Sequence, residues 1–328
     1  MSPDTSRPTA APAPLTRAAR RPVDGFAVTF MVMLCASWGL QQVAIKVTAV
    51  DVHPVMQMTI RSGIAALLLT PIVWRQAGGF GLRDGTWRPG LVVGILFGLE
   101  FLAIAEALAR TTASHVAVFL YTAPVFTALG LQVLLRTERL AAIQWAGIAL
   151  AFSGIAIAFL GGGTAGQDMS GGGVTSVEGD LLALLAGALW GATTVVIRLT
   201  SLSETPAART LHFQLAAAFV IIGAAAIVNG QTTIVSLSAL SAASIVYQGV
   251  IVAFLTYLGW FWMLRRYAAA EVAVLSFMTP LFGVSFGVIL LGEPIDAAFG
   301  WGAALVIAGV VLVSGGRLLL RRLGRVAR

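Results

Sequence analysis

Charge is what this sequence lacks most. Only 11% of its 328 residues are Asp, Glu, Lys or Arg, while 58% are apolar. A water-soluble domain carries about 25% charged residues because its surface has to be wetted, so most of this surface is not built for water. Cysteine is nearly absent. Cys35 stands alone inside an apolar run, which excludes an intrachain disulfide and leaves the redox compartment unmarked. His53, His115 and His212 fall in separate segments without metal-site spacing, and no glycine loop of the phosphate-binding type occurs. ATP is therefore not the energy source. Gly283-Val-Ser-Phe-Gly287 spells a hydrolase nucleophile elbow, but that motif needs a strand–turn–helix setting, and here it lies within an apolar run. Neither catalysis, a cofactor nor a metal is expected.

What is present is a succession of apolar runs, at roughly 25–46, 54–74, 90–109, 112–135, 140–160, 180–199, 206–228, 241–264, 269–291 and 298–319. Most reach the ~20 residues that a helix needs to cross a bilayer. Pro54, Pro89 and Pro206 stand near run starts, where a missing N–H is harmless. The net charge of +7 would suit nucleic acid if the basic residues shared one face, but they gather in short loops and tails. With the N-terminus in the cytoplasm, 18 of the 21 Lys and Arg fall on the inner side, Lys46 and Arg110 fall outside, and Arg61 lies within a run. That bias is the positive-inside signature.

The chain also repeats itself. ASWGLQQVAIKVT at 36–48 matches ALWGATTVVIRLT at 188–200, offset by 152 residues, and Pro54 matches Pro206 at the same offset. HVAVFLYTAPVF at 115–126 matches EVAVLSFMTPLF at 271–282, aligning Pro124 with Pro280 at offset 156. Glu138, Gly147 and Gly154 match Glu293, Gly302 and Gly309 at offset 155. A unit of five helices must enter the membrane from opposite sides in its two copies, the inverted-repeat plan of alternating-access carriers. The expected fold is an all-α integral membrane protein of ten transmembrane helices in two inverted five-helix repeats, both termini cytoplasmic. The expected divisions are a disordered tail over 1–22, too poor in apolar surface to fold, a first repeat over 23–160, a Gly-rich extracytoplasmic linker over 161–179, a second repeat over 180–320, and a basic tail over 321–328.

Charges inside hydrocarbon are costly and face a cavity or a partner. Three qualify: Arg61, Glu100 and Glu106. Arg61 either pairs structurally with Glu106 or receives a substrate carboxylate. Glu100 is a candidate polar or proton-carrying wall of the site. Trp38, Tyr121, Trp190, Tyr257, Trp260 and Phe277 are the aromatic candidates, suited to apolar or aromatic side chains and to organic cations. Trp74, Trp87, Trp145 and Trp301 lie near run ends, where interfacial anchoring is expected, and Trp262 suits lipid or helix packing. Pro124 and Pro280 each remove a backbone hydrogen bond and favour a kink, either as static bends or as hinges. The pairs Gly94–Gly98, Gly187–Gly191 and Gly283–Gly287 suit close helix approach.

The duplicated Trp-Gly step, RSGIAALLLTP at 61–71, the paired segments ending at Pro124 and Pro280, and Gly-Glu-Pro at 292–294 resemble the drug/metabolite transporter superfamily, in particular its ten-helix EamA-type exporters. Glu100, Tyr121 and Trp190 are similar to the aromatic amino-acid exporter branch. The first half departs at Glu138, where Thr-Glu-Arg replaces Gly-Glu-Pro. The resemblance implies export of amino acids and other small metabolites, with drug-like organic cations as further cargo. The expected setting is a secondary carrier in a bacterial inner membrane, with membrane lipid around it, no nucleic acid partner, and a monomer. A nucleotide-sugar or phosphate-ester exchanger of the same superfamily ranks lower, because Arg61 alone supplies intramembrane positive charge. A membrane enzyme, a scaffold or a channel ranks lower still.

Overall fold

The computed structural model describes residues 21, 23–77, 85–134, 140–161, 175–267 and 269–322. Among these, nine helical segments are long and apolar enough to cross a membrane, and a tenth, Ala142–Ala158, is shorter. Extended pairing among the described residues amounts to two isolated bridges, Arg21 with Tyr267 and Val52 with Ile234.

The first half comprises α1 (Gly25–Val47), α2 (Pro54–Ala77), α3 (Trp87–Arg110), α4 (Ala113–Leu120), α5 (Ala123–Leu134) and α6 (Ala142–Gly161). The second comprises α7 (Val177–Leu199), α8 (Ala207–Val228), α9 (Ala239–Val246), α10 (Tyr257–Arg266), α11 (Ala269–Leu275), α12 (Met278–Leu291) and α13 (Ala297–Arg322). A π-helical stretch, Tyr247–Thr256, joins α9 to α10 within one span. Several helices start earlier than their apolar runs. α7 begins at Val177 because the Ser176 hydroxyl accepts from the Gly179 amide at 3.0 Å, and Glu178 and Asp180 occupy the first turn, where the helix dipole favours negative charge.

Loop contacts define the two ends of the bundle. At one end the His53 amide donates to the Thr233 carbonyl at 3.3 Å and the Val235 amide to the Asp51 carbonyl at 2.8 Å. Lys46, closing α1, donates to the Thr111 carbonyl, and the Thr111 hydroxyl donates to Asp180 in the first turn of α7. At the other end Asp24 caps α1 through the Ala27 amide and accepts from the Tyr267 hydroxyl. α1 and its repeat counterpart α7 therefore start at opposite ends.

The heaviest packing joins one half to the other: α6 on α13, α3 on α7 and α8, α2 on α8, α1 on α12, and α5 on α7. The halves interdigitate and share a core. A Cβ on Gly39 would meet Phe282 and Gly283 at 2.8 Å, and one on Gly191 would meet Phe126 at 2.8 Å. Those are equivalent contacts in the two repeats, so each Trp-Gly step exists to let a helix press against the partner half's broken span. The remaining glycine pairs also pack: Gly94 and Gly98 against α8, Gly187 against the end of α4, and Gly283 against Ala117.

Candidate functional site

The spans that carry Pro124 and Pro280 are broken. α4 stops at Leu120 and α5 starts at Ala123; α11 stops at Leu275 and α12 starts at Met278. Each proline sits in the first turn of the second piece, where its missing N–H is one that has no intrahelical acceptor anyway. The expected kink in a continuous helix is thus a two-residue interruption. At the first break the Phe119 carbonyl accepts from the Thr122 hydroxyl at 2.6 Å and from the Thr122 amide at 3.2 Å. Tyr121 occupies one break and Phe277 the matching position of the other.

Around the breaks the aromatic candidates form two groups. Tyr121 is buried and meets Trp190 edge to face, centroids 5.4 Å apart. Trp38 lies edge to face with Trp260 at 5.7 Å and with Tyr257 at 6.4 Å, and its indole N–H donates to the Thr256 hydroxyl at 2.8 Å. Such aromatic pairs add about 0.5–1.5 kcal/mol beyond area burial. Phe277 is buried in the main core but makes no ring contact among the described residues. Elsewhere, rings stand between α1 and the eighth span: Trp262 lies edge to face with Phe26 and Phe30. Trp74, Trp87, Trp145 and Trp301 are exposed.

The charged candidates pair otherwise than expected. Glu106 bonds Arg110 one turn on and accepts from the Gln231 side chain at 2.7 Å. It does not reach Arg61. Position along an apolar run sets a residue's depth but not the direction it faces around its helix. Arg61 is fully buried against α3, its guanidinium carbon 4.1 Å from the Phe101 ring centroid. None of its three side-chain nitrogens completes a well-formed hydrogen bond among the described residues, although the Tyr257 hydroxyl stands beside them, and Glu100 Oε2 has no partner. Glu100 and Tyr257 both feel the Arg61 charge. Arg61, Glu100, Tyr257 and Trp38 thus converge across α2, α3, α10 and α1.

A second polar cluster, at the Lys46 end, was not anticipated. His115 Nδ1 contacts Asp180 Oδ2 at 2.8 Å, and its ring stacks on Phe299 at 3.9 Å. Glu293 is 3% exposed and accepts from the Ala113 amide at 2.7 Å, the Ser114 amide at 2.9 Å and the Ser114 hydroxyl at 2.6 Å. With Thr112 Oγ1 accepting from the His115 amide, the first three amides of α4 are satisfied. Gly292 makes this possible: its φ of +65°, accessible to glycine at little cost, ends α12 and turns Glu293 inward. The Gly-Glu-Pro motif was the available signal. Its counterpart Glu138 lies outside the described residues. Nearby, in the turn between α1 and α2, Asp51 accepts from Ser236 and Ser238 of the segment preceding α9, and those hydroxyls hold its carboxyl below the usual aspartate range.

The sequence profile of the EamA-like transporter family matches the chain twice, over residues 25–160 and 177–315. An uncharacterized transporter of Archaeoglobus fulgidus is 27% identical over 285 residues, covering 84% of this chain and 93% of its own length. The uncharacterized transporter YoaV of Bacillus subtilis is 21% identical over 280 residues, covering 84% and 92%. A crystal structure of a protein at 20% identity superposes with a TM-score of 0.61 over 92% of this chain and 99% of its own, a likeness of fold.

Proposed function

Since the chain belongs to the EamA-like transporter family, and is thus a multi-pass membrane transporter of the drug/metabolite superfamily, we propose that it exports amino acids, aromatic or apolar ones included, and related small metabolites. It works as a secondary carrier by alternating access in a bacterial inner membrane, with ten spans in two inverted repeats and both termini cytoplasmic. Trp38, Arg61, Glu100, Tyr121, Trp190, Tyr257, Trp260 and Phe277 form its substrate site, and the interruptions before Pro124 and Pro280 are its hinges.

One observation carries this reading. Spans broken at repeat-matched positions, Tyr121–Thr122 and Ser276–Phe277, stand beside the aromatic and charged residues, and discontinuous helices at a repeat interface are how secondary transporters build their binding sites. A broken span can swing its halves separately, and the freed backbone groups are tolerated only where protein or a cavity surrounds them.

The test is flux. Purified protein in liposomes should carry radiolabelled amino acids saturably, with one amino acid competing against another, in the presence and absence of a pH gradient. Trp190→Ala and Glu100→Gln should abolish flux while leaving the protein folded. Flux that never saturates, or that survives both substitutions, defeats the assignment. Cysteines introduced at Asn229 and Ser201 should label from opposite sides of the membrane. The native Cys35 is buried and adds little background.

A further inference from the structure

A guanidinium and a carboxyl, Arg61 and Glu100, are both buried and form no ion pair with each other. The Arg61 guanidinium rests on the Phe101 ring, a contact that holds a flat cation by its face and leaves the N–H edge free to bond. The Tyr257 hydroxyl stands at that edge, but no nitrogen there completes a well-formed hydrogen bond among the described residues. Glu100, one residue before Phe101 on α3, is 4% exposed, and its Oε2 finds no donor. The two form no ion pair. Ionisable groups left unanswered in hydrocarbon are costly and mark function. A guanidinium and a carboxyl left unpaired in this way suit a ligand that carries both signs.

We propose that Arg61 and Glu100 form a receptor for a zwitterion. Arg61 takes the ligand's carboxylate with two parallel N–H groups, the geometry that guanidinium offers and lysine does not. Glu100 takes the ammonium. Tyr257, within reach of both charges and edge-on to Trp38, leads from the charged pair to the aromatic rings, which receive the side chain. The inference rests on the transport reading above and narrows it. The cargo is a net-neutral α-amino acid with an apolar or aromatic side chain; an organic cation or a phosphate ester satisfies one charge and leaves the other stranded.

The experiment is counterflow of labelled L-phenylalanine and L-leucine in liposomes, with three competitors built on the phenylalanine side chain. These are phenylalanine itself, phenethylamine, which lacks the carboxylate, and N-acetyl-phenylalanine, which lacks the ammonium. The wild-type protein should prefer the zwitterion to either single-charge analogue by at least tenfold. In ligand binding followed by tryptophan fluorescence, which needs no turnover, Arg61→Gln should erase the preference over phenethylamine and Glu100→Gln the preference over the N-acetyl form, with monodispersity on gel filtration certifying each variant. Saturable phenylalanine flux on which phenethylamine competes equally overturns this inference and leaves the transport reading standing. Absence of saturable flux for both amino acids overturns the two together. The wild-type comparison decides even if a variant fails to fold.

Discussion

Glu293 is where a single side chain does the most measurable structural work. Replacing it with alanine strips the acceptor from two amides and a hydroxyl at the start of α4, all of them buried. Leaving a buried donor unsatisfied costs about 1–3 kcal/mol, and loss of an N-cap by itself costs about 1 kcal/mol. Neighbouring groups relax in part, so Glu293→Ala should cost about 3–5 kcal/mol, a large share of the 5–15 kcal/mol typical of a folded protein. Glu293→Gln keeps one acceptor oxygen but faces the donors with an amide NH2, so roughly half that loss is expected. The assay is unfolding in detergent followed by tryptophan fluorescence, with a drop in melting temperature on the order of 10 °C for alanine. Ser114→Ala removes one of the three donors, so its effect and that of Glu293→Ala should fall short of additive by about 0.5–3 kcal/mol. If Glu293→Ala melts within 2 °C of the wild type, or the two substitutions are strictly additive, the capping explanation is wrong.

Asp180 accepts from Thr111 at 2.6 Å and contacts His115, so Asp180→Ala should cost about 1–3 kcal/mol in the same melting assay, and no loss would show these contacts to be incidental. Gly39→Ala and Gly191→Ala should each cost about 1–3 kcal/mol through overpacking. Gly25→Ala, whose Cβ meets nothing within 4 Å, should be neutral or mildly stabilising; equal effects at all three positions would refute the close-approach account. For Asp51, whose folded-state carboxyl is held low by Ser238 and Ser236, the loop contact is complete above the ordinary Asp range near ~4. It is lost as pH falls through the depressed value. Exchange at the His53 and Val235 amides, corrected for intrinsic rate, should therefore be faster at pH 3 than at pH 6, and unchanged protection would count against it.

Hydropathy alone located every helical span to within a few residues, because each run must be apolar over its whole length to lie in lipid. It was blind to what happens inside a run. The π-helical stretch Tyr247–Thr256 is as apolar as α9 before it, and a change of hydrogen-bond register leaves no compositional trace. Pro124 and Pro280 flagged disturbance, but the break itself needs the Thr122 hydroxyl to take the Phe119 carbonyl, a contact set by local geometry. Arg61 shows the other limit. Its depth matched that of Glu106, yet Glu106 turned to Arg110 and Gln231, since the direction a residue faces is fixed by packing against other helices. Glu293 was visible as a motif but not as a cap, because its partners lie 179 and 180 positions away.

The pairing of α6 with α13 carries a consequence for the origin of the molecule. A Cβ on Gly147 would strike the Gly309 carbonyl at 2.7 Å, and one on Gly154 the Gly302 carbonyl at 2.6 Å. Gly302 and Gly309 are the duplicates of Gly147 and Gly154, so the first copy's early glycine meets the second copy's late one, and the reverse. Residue i touching j while j touches i is the mark of an isologous, two-fold interface. The two helices meet as identical subunits of a symmetric dimer would, and a single ancestral segment able to sit in the membrane both ways up could have made this contact with its own twin before one chain came to encode both.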